Sequence, residues 1–399
     1  MTGDLPMRVV VNGLSAKSGG GLTYLDNLSR AFGQNSDGCE VVFVVTPGTA
    51  ARLAPPSGRV SYCKLKSPAR GGLVRAIWEQ VRMPGLLREL RADVVFCPAN
   101  VDLLWRPCRS VLLIQSIHPF SPWVRDSDRT WRLRLLQRMS KVSIQRADHV
   151  VFLSETARRI AAECCQLAAG RTSVVYLGWN AMFNHLAAPE PPIGSEGTLP
   201  PRSYLLTVGE YREHKNFLAL CEAFAAVCRD LGADVRLVII GPVGDATYYA
   251  RVQRAIRRLG LSDVAILLRE IPHHRLPPAY VDALAYLQPS YIESFPHTLV
   301  EAMGCGCAIG CSTLNAGPEI CGDAAVYFDP FDTSAMADTI RRLVSEPALR
   351  GELAARALER VRAYSWNRTA AETLELLKRV GGGLPVEREE EAWKNGRTS

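Results

Sequence analysis

Two successive series of short apolar runs, each alternating with amphipathic stretches, constrain this chain more than any other feature. In the first series Arg8–Asn12, Glu40–Val45, Asp93–Cys97, Ser110–Gln115 and His149–Leu153 are apolar on both faces. A parallel strand covered by helices on both sides requires that pattern. Between these runs, Leu22–Phe32, Gly72–Leu90, Trp131–Gln145 and Glu155–Ala162 have helical periodicity, and Ser154 stands where a helix cap is needed. The second series places strands at Tyr204–Val208, Val235–Ile240, Val264–Leu268, Ala285–Gln288, Ala308–Gly310 and Ala325–Phe328. Its helices are expected at Asn216–Cys228, Tyr248–Leu259, Leu299–Gly304 and Thr333–Val344. A chain of 399 residues exceeds one ordinary core, and two such series predict two Rossmann-like, doubly wound parallel-sheet α/β domains. The Pro/Gly-rich stretch 188–201 reads as a connection, which sets the expected domains at 1–185 and 203–365 with a linker or insertion at 186–202.

Several functions are excluded at this level. Gly19-Gly20-Gly21 lacks the G-x-G-x-x-G spacing of a dinucleotide site, and no G-x-x-x-x-G-K-[ST] is present, which removes dehydrogenase and P-loop readings. The net charge of +7 suits a phosphate-bearing partner, while no helix-turn-helix, zinc-finger or RRM pattern points to nucleic acid. Twelve cysteines have neither zinc spacing nor a secretory context, so reduced thiols are expected. The first six residues read as an extension without a signal-peptide pattern, and no apolar run reaches membrane-spanning length. A cytoplasmic protein, at most peripheral at the inner face of the membrane, is the expectation.

The most specific chemistry lies in Glu293-Ser-Phe-Pro-His-Thr-Leu-Val-Glu301, two carboxylates that bracket the start of a helix just after an apolar strand. Pro289 and Pro296 resist helix interior and central strand, so Tyr291–Thr298 is expected to be a loop with a helix starting near Thr298. The N–H groups of that helix start suit a diphosphate. Glu301, one turn inside, can accept both hydroxyls of a ribose. Glu293 can bind sugar hydroxyls or face positive charge at an anomeric carbon.

This segment resembles the signature of the family 4 retaining glycosyltransferases of the GT-B fold, Glu-x7-Glu, and the similarity runs over roughly residues 7–380. Both acids and Phe295 match; Ser294, Pro296 and His297 depart from the family's Glu-Gly-Phe-Gly-Leu-Pro pattern. The resemblance implies two domains facing a deep cleft, with the acceptor on the first and a nucleotide diphosphate sugar on the second. It further implies retention at the anomeric carbon and no metal or other cofactor. Donor-binding residues are then Gly209, Arg212, Lys215, Phe295, Pro296, His297, Thr298, Leu299 and Glu301, with Gly19, Gly20 and Gly21 as a Gly-rich loop toward the diphosphate. Lys215 stands where the family sets a lysine on the diphosphate, although Glu210 replaces the usual arginine after Gly209, leaving Arg212 or His214 as second cation. His118, after the strand Val111–Ile114, occupies the position of a catalytic histidine, with Pro119 in place of the following Asp. The catalytic set is therefore His118, Lys215 and Glu293. The family also implies that the helix at 366–380 packs back onto the first domain, and 381–399 reads as a tail.

Other features are set aside. Asp126-Ser-Asp128 lacks the fold context of a metal-binding Asp-x-Asp, and His273-His274 lacks a further ligand. Trp131, Leu135, Met139 and Val142 form a stripe among arginines that is expected to face the core, with contact to an anionic membrane as the alternative. Arg269–Pro272 is where the base would be read. Two rival readings are a catalytically silent sugar-nucleotide-binding homologue and a non-hydrolysing sugar-nucleotide epimerase.

Overall fold

A computed structural model describes residues 6–16, 19–35, 38–68, 72–124, 130–168, 170–184, 202–231, 235–269 and 271–384. The chain forms two compact units, one drawn from 1–120, 125–176 and 366–399, the other from 121–124 and 177–365. The first expected domain thus ends at residue 176 rather than 185, and the expected linker at 186–202 lies, except for Arg202, outside the described residues.

In the first unit, strands β1 (Arg8–Asn12), β2 (Glu40–Val45), β3 (Val60–Lys64), β4 (Val94–Cys97), β5 (Arg109–Ile114), β6 (His149–Phe152) and β7 (Thr172–Val174) form one parallel sheet, ordered β3-β2-β1-β4-β5-β6-β7. The helices are α1 (Gly19–Gln34), α2 (Pro47–Ala50), α3 (Gly72–Glu89), α4 (Trp131–Arg146) and α5 (Glu155–Cys164). Val9, Val10, Val11, Val94, Val95 and Phe96 are wholly buried, which is why β1 and β4 read as unbroken apolar runs. The edge strands β3 and β7 were not expected from the sequence. Ser61, Tyr62, Cys63 and Lys64 keep contact with solvent, and so do all three residues of β7, so neither carries a two-faced apolar signature. Ser154 caps α5 as expected, its Oγ accepting from the Ala157 N–H at 3.0 Å.

The second unit carries β8 (Tyr204–Val208), β9 (Arg236–Ile240), β10 (Ala265–Leu268), β11 (Ala285–Gln288), β12 (Ile309–Ser312) and β13 (Ala325–Phe328) in the parallel order β10-β9-β8-β11-β12-β13. Helices α6 (Phe217–Val227), α7 (Ala246–Arg258), α8 (Leu276–Val281), α9 (His297–Gly304), α10 (Gly317–Cys321), α11 (Thr333–Ser345) and α12 (Pro347–Arg360) connect and cover it. The core packs Leu220, Phe224 and Val227 of α6 with Leu237 and Ile239 of β9 and with Met336 and Ile340 of α11.

Helix α13 (Trp366–Gly381) follows the second unit in sequence but belongs to the first. Trp366 meets the Tyr24 ring edge-on at 5.9 Å, and Thr369 Oγ1 donates to the Tyr176 carbonyl at 2.8 Å. Apolar burial along Ala370, Leu374, Leu377 and Val380 holds the helix in place.

In both sheets chain direction reverses its lateral progress beside the first strand: between β1 and β4, and between β8 and β11. Ligands of open α/β sheets bind at the carboxyl ends of the strands at such points. At the second, the backbone of β9 approaches that of β8 so closely that a Cβ on Gly241 would strike the Gly209 carbonyl oxygen. Gly241→Ala is therefore expected to destabilise by about 1–3 kcal/mol, read as a lowered urea midpoint at unchanged slope. A midpoint equal to that of the wild type would contradict the packing described.

Candidate functional site

The loop after β8 is fixed before it reaches its functional side chain. Gly209 N–H donates to the Ile240 carbonyl at 2.8 Å and Tyr211 N–H to Pro242 at 2.9 Å. The Tyr211 ring is buried edge-on against Tyr249 at 4.8 Å and Phe217 at 5.3 Å. A 3-10 turn, Glu213–Lys215, then delivers Lys215, and Asn216 begins α6 from a left-handed conformation with φ 59°. Asparagine tolerates that conformation, and here its side chain also donates to the Pro330 carbonyl at 2.7 Å. The lysine stem lies against Gly209, where an added Cβ would sit 3.3 Å from Lys215 Cδ.

The loop between β11 and α9 meets this turn through the Tyr291 N–H, which donates to the His214 carbonyl at 3.1 Å. Lys215 Nζ then donates to Glu293 Oε1 at 2.5 Å, with only 16% and 15% of the two side chains exposed. A cation and an anion held together here, at the carboxyl ends of β8 and β11, are the centre of the site. Below them, buried polar atoms of Thr207, Gln288 and Ser290 have no hydrogen-bond partner among the described residues.

Helix α9 starts at His297, one residue earlier than expected, with Pro296 as its cap residue. Burial holds the His297 imidazole below its ordinary pKa, which keeps it neutral at neutral pH, and its ring packs on Phe295 at 5.6 Å. Thr298 hydrogen-bonds Tyr286, and Leu299 is fully buried. Glu301 accepts from the Tyr280 hydroxyl at 3.0 Å and lies 3.3 Å from His273 Nε2. Burial and then the Glu301 charge keep the Tyr280 hydroxyl well above its usual pKa, so it remains a donor. His273 was set aside as a metal ligand, but its hydrogen bond to Glu301 raises its pKa, against an opposing effect of burial. Its signal was invisible in sequence because the partner lies 28 positions away.

Arg212 forms a two-pronged pair with Glu210, at 2.6 and 3.1 Å, so the acid that replaces the family's usual arginine is matched by the arginine two residues on. Arg269 lies over the Tyr249 ring at 5.8 Å.

In the first unit His118 heads a 3-10 turn just beyond β5, its N–H donating to Ser116 Oγ at 3.4 Å. Ser116 is fixed by Asn100, whose Oδ1 accepts from the Ser116 N–H at 2.9 Å. Gly19, Gly20 and Gly21 do not form a loop. They make the first turn of α1, entered by Gly19 at φ 61°, where the leading N–H groups of a helix have no partner within it. At the end of β1, Asn12 Nδ2 donates to Glu79 Oε2 at 3.1 Å and Glu79 pairs with Arg75 at 2.9 Å, a cluster that sequence reasoning missed. The Trp131–Val142 stripe does not face the core: Trp131 and Val142 are exposed and Leu135 and Met139 half-buried, because α4 buries only Ser140, Ser143 and Ile144. Asp126 and Asp128 lie outside the described residues. Among the described residues no group of three or more His, Cys, Asp or Glu is placed to hold a metal, and no helix is long and apolar enough to cross a membrane.

The family profile "Glycosyl transferases group 1" matches residues 195–360, and "Glycosyltransferase Family 4" matches residues 18–181. The chain is 25% identical over 301 residues to O-antigen chain mannosyltransferase B of Escherichia coli, covering 74% of this chain and 77% of that protein. It is also 25% identical over 286 residues to alpha-maltose-1-phosphate synthase of Mycolicibacterium smegmatis, covering 68% and 73%. In fold it is similar to sucrose-phosphate synthase from Thermosynechococcus elongatus, with a TM-score of 0.74 at 18% identity over 94% of this chain and 100% of that one. Anabaena HepE in complex with UDP-glucose aligns with a TM-score of 0.72 at 16% identity, over 93% and 100%. The two parallel-sheet α/β units have the GT-B fold of these structures, and the family models and sequence relatives identify a glycosyltransferase. The two models lie one on each half of the chain and, with these relatives, support a family 4 glycosyltransferase.

The His273–Glu301 pair titrates. Since the folded-state pKa of His273 lies above its ordinary 6.5, the pair's contribution to stability is complete below pH 6.5 and is lost as pH rises through the folded value. Thermal melts of wild type and His273→Ala should therefore converge on going from acid to alkaline pH. Curves that run parallel across the range would contradict the pairing.

Proposed function

We propose that the protein transfers a sugar from a nucleotide diphosphate sugar to a hydroxyl of a glycan, lipid-linked or small-molecule acceptor, with retention at the anomeric carbon and without a metal. The observation that carries this reading is the Lys215–Glu293 pair between the β8 and β11 loops. Lys215 and the first N–H groups of α9 are suited to an anionic diphosphate. Glu301, oriented by Tyr280 and His273, is suited to the two ribose hydroxyls. Anabaena HepE, of similar fold, is in complex with UDP-glucose, which supports the same class of donor here.

In the reaction the bond from the anomeric carbon to the diphosphate oxygen breaks, and its electron pair leaves with the diphosphate. Lys215 stabilises that charge, and the Glu293 carboxylate faces the positive charge on the sugar. The acceptor oxygen bonds to the anomeric carbon on the face just vacated, and its proton passes to the departing phosphate oxygen. No enzyme nucleophile is used. Phe295, Pro296, His297, Thr298 and Leu299 shape the donor-sugar side, and Gly209 leaves room for the Lys215 stem. Arg212, offset by Glu210, contributes a weaker positive field than an unpaired arginine would. In the first unit we assign His118 to the donor sugar and the Gly19–Gly21 turn to phosphate. A place at an anionic membrane surface belongs to the same reading.

The test is thermal stabilisation by a panel of UDP-, GDP-, TDP- and ADP-sugars. A donor at a hundred times its Kd adds about 2.7 kcal/mol. One nucleotide class is expected to raise the wild-type Tm, and Lys215→Ala and Glu301→Ala to abolish the rise. No rise with any donor, or a rise that both variants retain, would overturn the assignment. Proton NMR of the product should show the donor's anomeric configuration, and an inverted product would exclude the same-face route.

A further inference from the structure

Three segments of the first unit are joined near its surface by hydrogen bonds. Gln80 of α3 donates from Nε2 to the Asp102 carbonyl at 3.1 Å, and its Oε1 accepts from the Leu104 N–H at 2.7 Å. Ser143 Oγ of α4 accepts from the Asp102 N–H at 2.9 Å, and Arg106 donates to the Arg146 carbonyl at 2.6 Å. The 102–106 loop is therefore a bridge that sets α3 and α4 side by side.

On these three segments, side chains that ordinarily stay inside are turned out. On α3, Val74, Ile77 and Val81 recur at the spacing of one helix face and are all exposed, Val81 to 74%. Met83 and Leu87 bury the opposite face of the same helix. The bridge adds Leu104 and Trp105, the latter 73% exposed, and α4 adds Trp131, Leu136 and Val142. Eight of the ten large hydrophobic residues exposed among the described residues belong to these three segments. An apolar concentration of this kind marks a surface that meets a partner.

Charge identifies the partner. Helix α4 carries Arg132, Arg134, Arg138, Lys141 and Arg146 and no acidic residue. None of the five has an ion-pair partner among the described residues, and Arg82 stands exposed next to Val81 on α3. Among the described residues, Glu79 is paired with Arg75, and Asp102 and Asp148 are paired with Arg106. Exposed tryptophans, an aliphatic stripe and arginines without ion-pair partners among the described residues, gathered on these three segments, match an interface that is anionic outside and apolar just beneath.

We propose that α3, the 102–106 bridge and α4 dock the protein on an anionic phospholipid bilayer, with Trp105, Trp131 and Val81 entering the headgroup boundary and the α4 arginines on lipid phosphates. This names the surface for the membrane contact included in the functional reading above. It rests on that reading only for the membrane, not for the transfer chemistry.

The experiment is co-sedimentation of the full chain with vesicles of phosphatidylcholine alone, or with about 30% phosphatidylglycerol. Binding is expected to the anionic vesicles only and to weaken in 1 M salt, where the screening length falls to about 3 Å. Arg134→Glu with Arg138→Glu should lower vesicle affinity by at least about fivefold per cation reversed. Trp105→Ser with Val81→Ser should lower it comparably at low salt. Both double variants alter exposed side chains, so their unchanged Tm and donor-induced Tm shift confirm intact folding and separate this proposal from the transfer reading. Absence of binding, equal binding to neutral vesicles, or variants that bind like the wild type would overturn it. A concentration-dependent dimer lost in Trp105→Ser/Val81→Ser would overturn it in favour of a second copy of the chain.

Discussion

The account depends on one ion pair placed where a doubly wound sheet is open. Lys215 and Glu293 sit on loops that leave adjacent strands, 78 residues apart in sequence, and are drawn to 2.5 Å. A half-buried charge needs a partner, and removing one member leaves the other uncompensated. The pair therefore fastens the β8 and β11 loops to each other and keeps a cation and a carboxylate together at the switch point. The remaining parts serve that arrangement. Tyr211 anchors the first loop, Tyr291 ties the second to it, and Gly209 and Gly241 allow backbones and the lysine stem to approach closely.

The same geometry sets a competition. The cation and the carboxylate proposed for a donor's diphosphate and its sugar are each other's partners. On the proposed assignment, donor binding exchanges the Lys215–Glu293 contact for contacts to phosphate and sugar, so the net attraction is smaller than a lone lysine would supply. Glu301 is arranged differently: Tyr280 and His273 orient it without opposing its charge. One acid is held by hydrogen-bond donors, and the other by Lys215.

The central strands were legible in the sequence because burial on both faces leaves a continuous apolar run; β1, β2, β8 and β11 have the expected limits, and so does the edge strand β13, whose run Ala-Val-Tyr-Phe stays apolar. Edge strands β3 and β7 were not, because solvent on one side permits polar residues. Helices α2, α8, α10 and α12 were also missed, the first three too short for periodicity to register. In the site, the two acids and the lysine were readable from spacing and resemblance, but the contact between them was not, since it depends on the order of strands. The Gly19–Gly21 turn was read as a loop because glycine composition does not distinguish a loop from the first turn of a helix. The α4 stripe was misassigned to the core because periodicity identifies an apolar face without saying what covers it.

Calorimetric titration of a nucleoside diphosphate into wild type and Glu293→Gln tests the central claim most directly. With the competing carboxylate neutralised, Lys215 is released to phosphate and a like-charge repulsion is removed. The account predicts tighter binding of the diphosphate in the variant, together with slower sugar transfer. Unchanged or weaker diphosphate binding in Glu293→Gln would contradict it, because Lys215 would then not be shared between the carboxylate and the donor.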